Sequence, residues 1–476
     1  MLRYEDMKFR NLLTKNWVWL IIAGLVIFAI LSFNPPGNLT RDGQTALALL
    51  AAVVILFILE PIPLPGIIFF IAIYQVVFGL GTPNQVAKSF MHDAVFFIMG
   101  ALMIGVALNN QAIGKRLILI LINKVGNNVR KISFAIITTA ALMAGFIADH
   151  VVAAVLTPMV ISLLRTTREE TNRKVASLAK FLLFSVAYGA TIGGLYAPSG
   201  GGRNIVMIGL LDQISNYQIG FAQWIVLSLP ITILLIPTTS LILNWTFHPE
   251  LTDLSLAVAG LREELQERDV TGETWLTLVI FAAIVTLWIT AGSLMGLGII
   301  ALLGATLYLV FGLVDWEDYQ RGVNWGVIVI YMGALSMGSL LNRTGAAKWL
   351  ANTVITFIRD GLHLSGAGPI AAVVSLISTT MTNLMSAAAA ASVVGPITLE
   401  LSGYSTLSPL FIGLLTAVST SFGFLLTIAT PPNAIIYSSG YIKPRDFIKA
   451  GALMTVAAFG ILFIVVSVWW NFLGVI

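Results

Sequence analysis

The chain has 476 residues, of which 58% are hydrophobic and 10% are charged, and its mean hydropathy is +0.92. These values exclude an ordinary soluble globular domain and indicate an integral membrane protein. The net charge of +4 does not predict nucleic-acid binding, because the basic residues fall in loops between apolar stretches, and the absence of cysteine excludes disulfides and thiolate metal sites.

The apolar stretches predict the membrane spans. A helix that crosses a bilayer needs about 20 apolar residues. The first stretch, residues 17–33, follows a basic segment, lacks a small-residue cleavage site and is predicted to be a retained helix. Eleven such stretches begin near Trp17, Gln44, Pro63, Asp93, Val175, Ala222, Thr274, Met295, Trp325, Ser405 and Ile448.

The basic residues predict which side of the membrane each loop faces. With the amino terminus in the cytoplasm, twenty of the 26 lysines and arginines fall on the cytoplasmic side and five fall outside. Only Arg203 belongs to neither group. The chain is therefore expected to be a multi-pass protein of the plasma membrane, with its carboxy terminus at Ile476 on the extracellular side.

One polar connection divides the chain into two halves with the same order of features. This connector, residues 248–274, is predicted to be cytoplasmic. The first half divides into segments 1–131 and 132–247, and the second half into segments 275–364 and 365–476.

Each half contains an apolar stretch that is too short for two crossings and is interrupted by polar residues. Residues 134–164 are interrupted at 148–150, and residues 368–401 are interrupted at 382–386. Each stretch predicts a re-entrant hairpin, since non-helical backbone at membrane depth survives only inside protein or along a cavity. The first would open from inside and the second from outside, which defines an inverted-topology repeat.

Each hairpin is followed by an apolar stretch that is predicted to be a broken helix. Residues 188–209 contain a run of three glycines before Arg203, and residues 419–437 contain paired prolines before Asn433. Such runs do not continue a helix, so each break exposes backbone groups and a half-helix amino terminus. That end of a helix attracts anions.

The second break carries the most specific motif in the chain. Residues 429–443, Ala-Thr-Pro-Pro-Asn-Ala-Ile-Ile-Tyr-Ser-Ser-Gly-Tyr-Ile-Lys, resemble the carboxy-terminal signature of the divalent anion/sodium symporter family, the INDY-type transporters. The resemblance also covers the turn at 60–63 and both hairpins. It implies an all-α polytopic homodimer in the lipid bilayer with dicarboxylate substrates. It also implies scaffold helices at 1–131 and 275–364 and transport regions at 132–247 and 365–476, which move as an elevator.

The chain departs from the family pattern at both hairpin tips. Sodium-coupled members carry a Ser-Asn-Thr triplet ten residues before a proline, and counting back from Pro158 and Pro396 gives Ala-Asp-His at 148–150 and Ser-Ala-Ala at 386–388. The first break reads Gly-Gly-Gly-Arg-Asn at 200–204, where sodium-coupled members usually have Gly-Thr-Pro-Pro-Asn. The sequence thus resembles the sodium-independent exchangers of the family.

These departures place two basic residues where the family binds sodium. A guanidinium at Arg203 would supply permanently the positive charge that sodium supplies on binding, and His150 would add a titratable share. Asp149 is expected to pair with one of them, since a buried charge needs a partner. A proton relay and a merely structural pair are alternatives for Asp149 and His150.

The patterns predict one substrate site and no catalytic residue, metal site or cofactor. Hydrogen bonding between packed helices is an alternative role for the polar residues of the second hairpin. The predicted substrate-binding residues are His150, Arg203, Asn204, Ser386, Thr430, Pro431, Pro432 and Asn433. The predicted supporting residues are Asp149, Gly200, Gly201, Gly202, Thr382 and Asn383.

The leading hypothesis is a sodium-independent antiporter of C4 and C5 dicarboxylates. Exchange is expected because an empty site would keep an uncompensated positive charge, which is costly to move across lipid. A sodium- or proton-coupled symporter is the alternative that the intact Thr-Pro-Pro-Asn at 430–433 supports. An anion channel and an intramembrane hydrolase are further alternatives, whereas a nucleotide-driven pump is disfavoured because no Walker-type phosphate loop occurs.

Overall fold

The computed structural model describes residues 2–171, 175–255, 258–259, 271–361, 363, 366–404 and 406–475. Over these residues the chain is helical and has no strand, as predicted. The helices in chain order are α1 (Leu2–Ser32), α2 (Arg41–Leu59), α3 (Leu64–Val77), α4 (Pro83–Phe90), α5 (Asp93–Asn110), α6 (Ile113–Val125), α7 (Val129–Ala144), α8 (Asp149–Thr171), α9 (Ala176–Gly193), α10 (Gly202–Ser215), α11 (Phe221–Phe247), α12 (Gly272–Thr290), α13 (Gly292–Met295), α14 (Leu297–Val310), α15 (Trp316–Gly322), α16 (Trp325–Arg343), α17 (Ala346–Thr356), α18 (Ala367–Leu384), α19 (Ala387–Glu400), α20 (Pro409–Ser419), α21 (Pro431–Ser438) and α22 (Pro444–Val465).

The helices account for all eleven predicted spans. Among the described residues, nine helices are long and apolar enough to cross a membrane. Seven of them (α2, α5, α9, α11, α12, α16 and α22) coincide with predicted spans, and the other two (α8 and α18) are hairpin arms. Shorter apolar helices, α3, α14, α20 and the Trp17–Ser32 part of α1, occupy the remaining four predicted spans.

Both predicted hairpins are present, with corrected boundaries. The first consists of α7 and α8 and is longer than predicted, because Asn128 caps α7 with its side-chain oxygen 3.0 Å from the Arg130 amide nitrogen. Its non-helical tip is residues 145–148, so residues 149 and 150 already belong to the first turn of α8. The second consists of α18 and α19, and its tip is only residues 385–386.

The two predicted helix breaks have the same internal hydrogen bonds. Between α9 and α10, the side-chain amide of Asn204 donates to the carbonyl oxygens ten and seven residues earlier, at 2.8 and 2.9 Å. Between α20 and α21, the amide of Asn433 donates to the carbonyl oxygens ten and seven residues earlier, both at 3.0 Å. The same two contacts at the same two spacings in both halves support the sequence repeat.

Each hairpin is hydrogen-bonded to the helix break in the same half of the chain. In the first half, the Ser199 hydroxyl donates to the Gly145 carbonyl at 3.0 Å, and a Cβ at Gly200 would overlap the backbone oxygen of Ala144. In the second half, the Thr382 hydroxyl donates to the Thr420 carbonyl at 2.9 Å. The hairpin tips are therefore held where the helices break.

Part of the predicted connector lies outside the described residues. Residues 256–257 and 260–270 are not described, and neither is Ile476. Within the described part, the Glu250 carboxylate accepts from the backbone amides of Ser177 and Leu178 at 2.7 and 2.8 Å. A carboxylate stabilises the amino-terminal end of a helix, so the connector caps α9.

Candidate functional site

Four helix amino termini converge on one cavity. The first residues of α8, α10, α19 and α21 form one side of a cavity of about 330 Å³, and residues of α3, α5 and α16 form the other side. The four helices begin at the hairpin tips and at the breaks. The repeat thus brings together the four points at which the chain interrupts its membrane helices.

This convergence makes the cavity attractive to anions. Each helix amino terminus behaves as about half a positive charge, so four of them sum to about two positive charges. Helix α21 offers the cavity its positive end but fewer hydrogen-bond donors, because its first two residues, Pro431 and Pro432, have no N–H group. The cavity is therefore suited to a dianion.

Arg203 lies in the wall of this cavity and makes three hydrogen bonds to protein groups. Its side chain is 2% exposed. Nη2 donates to the carbonyl oxygen of Thr191 at 3.0 Å, Nη1 donates to Asp149 Oδ2 at 3.3 Å, and Nε donates to the hydroxyl of Ser421. The guanidinium thus joins the first break, the first hairpin and the second break.

Asp149 lies between the two basic residues of the site. Its Oδ2 faces Arg203, and its Oδ1 is 3.7 Å from Nδ1 of His150. Because Arg203 and Asp149 carry opposite charges, the pair adds no net charge to the cavity. Arg203 therefore does not give the cavity the expected excess of positive side-chain charge, and the helix termini supply the positive potential.

Ser386 and His150 line the cavity, as does Pro431. Ser386 caps α19, with its hydroxyl oxygen accepting from the Ala389 amide at 3.3 Å. The hydroxyl hydrogen remains available for a bound anion, because the oxygen is the acceptor in that bond. Gly200, Gly201 and Gly202 form the adjoining wall.

Asn204, Thr430 and Asn433 are buried behind the cavity wall. The two asparagine amides hold the breaks, as described above, and their Oδ1 atoms have no hydrogen-bond partner among the described residues. The Thr430 hydroxyl oxygen, at the amino end of α21, likewise has no partner there. Substrate binding by these three residues stays a prediction.

Thr382 and Asn383 lie in the last turn of α18 and do not line the cavity. The Asn383 amide donates to the Phe422 carbonyl at 3.1 Å, and its Oδ1 accepts from the Leu425 amide at 3.0 Å. These bonds and the Thr382 bond hold the second break against the second hairpin. The geometry matches the alternative of hydrogen bonding between packed segments.

The structure adds lining residues that were not predicted to belong to the site. Ser199, Asn324 and Tyr331 line the cavity, and so do Ala387 and Ala388 of the second triplet. Ser199 follows a proline in the first break, a signal that could have identified it. Tyr331 and Asn324 belong to or adjoin a different span, α16, and nothing local to them indicates that they face the hairpins.

A second cavity contains a histidine–carboxylate pair. It measures about 350 Å³ and is lined by His92, whose Nε2 is 3.2 Å from Asp212 Oδ2. His92, the residue before α5, is therefore paired with a carboxylate of α10. Within the described part of the chain, no group of three or more His, Cys, Asp or Glu residues is arranged to hold a metal ion.

The family and its relatives match nearly the whole chain. The model of the sodium:sulfate symporter transmembrane region matches residues 14–476. An uncharacterized transporter of Haemophilus influenzae is 27% identical over 454 residues, covering 91% of this chain and 92% of its own. The sodium-dependent dicarboxylate transporter SdcS of Staphylococcus aureus is 25% identical over 461 residues, covering 91% and 87%.

Two solved transporters share the fold. The Neisseria gonorrhoeae MtrF structure aligns with a TM-score of 0.57 over 94% of both chains, and the Alcanivorax borkumensis YdaH structure aligns with a TM-score of 0.55 over 82% of this chain and 88% of its own. Both are 13% identical to this chain. At that identity they show the architecture and nothing about the substrate.

Proposed function

The chain belongs to the sodium:sulfate symporter family, the divalent anion/sodium symporters that the signature at 429–443 resembles. On this basis we propose that it exchanges C4 and C5 dicarboxylates independently of sodium. Succinate, malate, fumarate and 2-oxoglutarate are the candidate substrates. The observation that carries the proposal is the buried guanidinium of Arg203, which fills the first break and is held by three oxygen atoms.

Charge supports a dianionic substrate. The four helix amino termini at the cavity sum to about two positive charges, which a dicarboxylate would balance. The Arg203–Asp149 pair is neutral as a whole, so it neither adds to nor subtracts from this match. The similarity to the dicarboxylate transporters of Staphylococcus aureus favours carboxylates over sulfate as the carried dianion.

Independence from sodium follows from what already occupies the first break. The oxygen atoms around the guanidinium, Asp149 Oδ2, the Thr191 carbonyl and the Ser421 hydroxyl, are of the kind that hard cations prefer. An arginine fixed in that position occupies the place of a sodium ion, and its permanent charge replaces the charge that sodium would bring. Substrate binding would then not require a coupling ion.

Exchange follows from the charge of the empty cavity. Without an anion, the four helix termini face one another with their positive ends uncompensated, and moving such a site through lipid is costly. A bound dianion removes that cost. The site would therefore cross the membrane loaded in both directions, which is obligatory exchange.

The moving unit in this proposal is formed by both hairpins and both broken helices. Arg203 links the two halves through Ser421, and the Tyr188 hydroxyl of α9 donates to the Phe424 carbonyl in the second break at 3.0 Å. A further link is the pair of Lys180 on α9 and Asp446 on α22, at 2.9 Å. These contacts support movement as one body against scaffold helices, an elevator, in each protomer of a homodimer.

Sodium-coupled symport is the second candidate. It is favoured by the similarity to transporters named sodium-dependent and by the second break, which keeps Thr-Pro-Pro-Asn at 430–433 and has no basic residue at the position of Arg203. A cation bound at that second break would couple its gradient to transport even with the first break filled.

The experiment that separates these functions is uptake of labelled succinate into proteoliposomes. Vesicles contain either unlabelled succinate or buffer, and the external cation is either sodium or choline. We expect uptake only with internal succinate, at equal rates in sodium and choline, and stronger inhibition by malate than by sulfate. Robust uptake into buffer-filled vesicles that requires a sodium gradient would establish symport and overturn the exchange proposal.

A further inference from the structure

Tyr331 of α16 has an unusual hydroxyl group. Its side chain is buried, with 5% of the residue exposed, and its ring lines the cavity opposite the helix termini. The phenol oxygen makes no hydrogen bond with any residue that the structure describes. A buried tyrosine hydroxyl normally has a partner, because leaving it without one costs free energy.

The other buried tyrosines show that this is an exception. Six tyrosines are buried in the described part of the chain. Five of them donate to a backbone carbonyl at 2.8 to 3.2 Å, namely Tyr74, Tyr188, Tyr196, Tyr308 and Tyr319. Of these six, Tyr331 is the one whose hydroxyl has no partner among the described residues, and its side chain lines the cavity. The missing partner is therefore expected to be something that enters the cavity.

The position of the hydroxyl identifies the chemistry of that partner. A Cβ at Gly202 would overlap the Tyr331 phenol oxygen, so the oxygen lies directly against the first residue of α10. The first backbone N–H groups of a helix have no intrahelical acceptor. A phenol O–H and these N–H groups are all donors, and a carboxylate oxygen beside this contact, on the cavity side, would accept from both.

We propose that Tyr331 is a substrate-specificity residue, whose hydroxyl donates to a carboxylate of the bound anion from the scaffold side of the cavity. The inference rests on the proposed transport function and deepens it. It assigns a substrate contact to a helix that carries neither a hairpin nor a break.

The contact exists in only one orientation of the transporter. Tyr331 belongs to the scaffold helices predicted at 275–364, whereas the helix termini belong to the transport regions. Near Tyr331 the cavity is lined by Leu64 and Asn324, at the amino-terminal ends of α3 and α16. The positive-inside assignment places both ends on the cytoplasmic side. When the transport region moves away, the substrate keeps its helix termini and loses Tyr331.

The test is Tyr331→Phe, measured separately on each face of the membrane. Tyr308→Phe is the matched control, because it removes a buried hydroxyl that donates to the Thr277 carbonyl at 3.1 Å, away from the cavity. Proteoliposomes of one orientation are prepared, and the KM for succinate is measured on one face while succinate saturates the other. Size-exclusion profiles and melting temperatures check the fold of both variants.

We expect Tyr331→Phe to raise the cytoplasmic-face KM about tenfold or more and to leave the outer-face KM unchanged, since a hydrogen bond to a charged group has that effect on affinity. Tyr308→Phe should change neither. An unchanged KM on both faces, or an equal rise on both, would overturn the inference. Failure of the parent chain to exchange any dicarboxylate would instead overturn the proposed function, before any variant is compared.

Discussion

Replacing Arg203 by alanine probes the charge arrangement on which the proposed function depends. The substitution removes three hydrogen bonds from a side chain that is 2% exposed, and it leaves Asp149 buried without its arginine partner. Removing one member of a buried ion pair destabilises a protein by about 3 to 5 kcal/mol. The unpaired Asp149 also adds a negative charge to the anion site, a change that commonly costs about 2 to 5 kcal/mol of binding free energy, so exchange in sodium-free buffer should fall roughly thirtyfold to several thousandfold.

The space left by the Arg203 guanidinium should bind a sodium ion. It is bounded by Asp149 Oδ2, the Thr191 carbonyl and the Ser421 hydroxyl, which are three oxygen atoms including a carboxylate. Hard cations bind such sets of oxygen ligands. We therefore expect sodium to stimulate exchange by Arg203→Ala, although it has no effect on the parent protein.

The assay is labelled succinate exchange in proteoliposomes in choline and in sodium, with melting temperatures measured in parallel. The double variant Arg203→Ala/Asp149→Ala is the matched control, because it also removes the unpaired carboxylate. It should melt higher than the single variant and show no response to sodium. Arg203→Lys should restore part of the activity, since it keeps the charge but loses the planar geometry. Parental exchange by Arg203→Ala in choline would refute the reasoning.

The remaining predictions concern single features of the fold. Asn204→Ala and Asn433→Ala should each lower the free energy of unfolding by about 1 to 3 kcal/mol, through the loss of two buried hydrogen bonds, as a melting series would measure. Thr430→Ala removes a hydroxyl oxygen without a described partner, so it should leave the melting temperature unchanged and raise the KM; an unchanged KM would remove Thr430 from the substrate site. Ser386→Ala should cost about 1 kcal/mol as a lost helix cap and also raise the KM. Ser408→Ala, which removes a cap and a bond to the Val475 carbonyl away from the cavity, should cost at least as much stability and leave the KM alone. A tag after the last residue should be labelled in intact cells, and a protected tag would mean that a span was miscounted.

Much of the architecture is encoded locally. Each of the eleven predicted spans coincides with a helix, because hydropathy over about 20 residues is a property of a contiguous segment. The hairpins and breaks were also predictable, since glycine runs, paired prolines and polar interruptions act on the backbone where they occur. The family signature at 429–443 belongs to this group.

The hairpin boundaries were less predictable, for a physical reason that acts near the helix ends. The first hairpin extends to Val129, since Asn128 caps α7. The second tip is narrower than predicted, because α18 continues to Leu384, and the side-chain amide of Asn383 donates to the Thr379 carbonyl at 2.8 Å within that helix. A polar residue within an apolar stretch therefore does not by itself mark the tip.

The sequence by itself determined where the membrane helices are interrupted, at the two hairpin tips and the two breaks. The tertiary structure decided which polar atoms meet at these points. Asp149 lies 54 residues before Arg203, and Ser421 lies 218 residues after it, so no spacing rule indicates that the three side chains touch. The asparagines illustrate the same limit, because their amides turn to the breaks rather than to the cavity. Tyr331 lines the cavity from α16, a helix that carries neither a hairpin nor a break. Such contacts depend on how helices pack across the whole chain, and the free energy of a buried polar group depends on its partner, which local sequence does not specify.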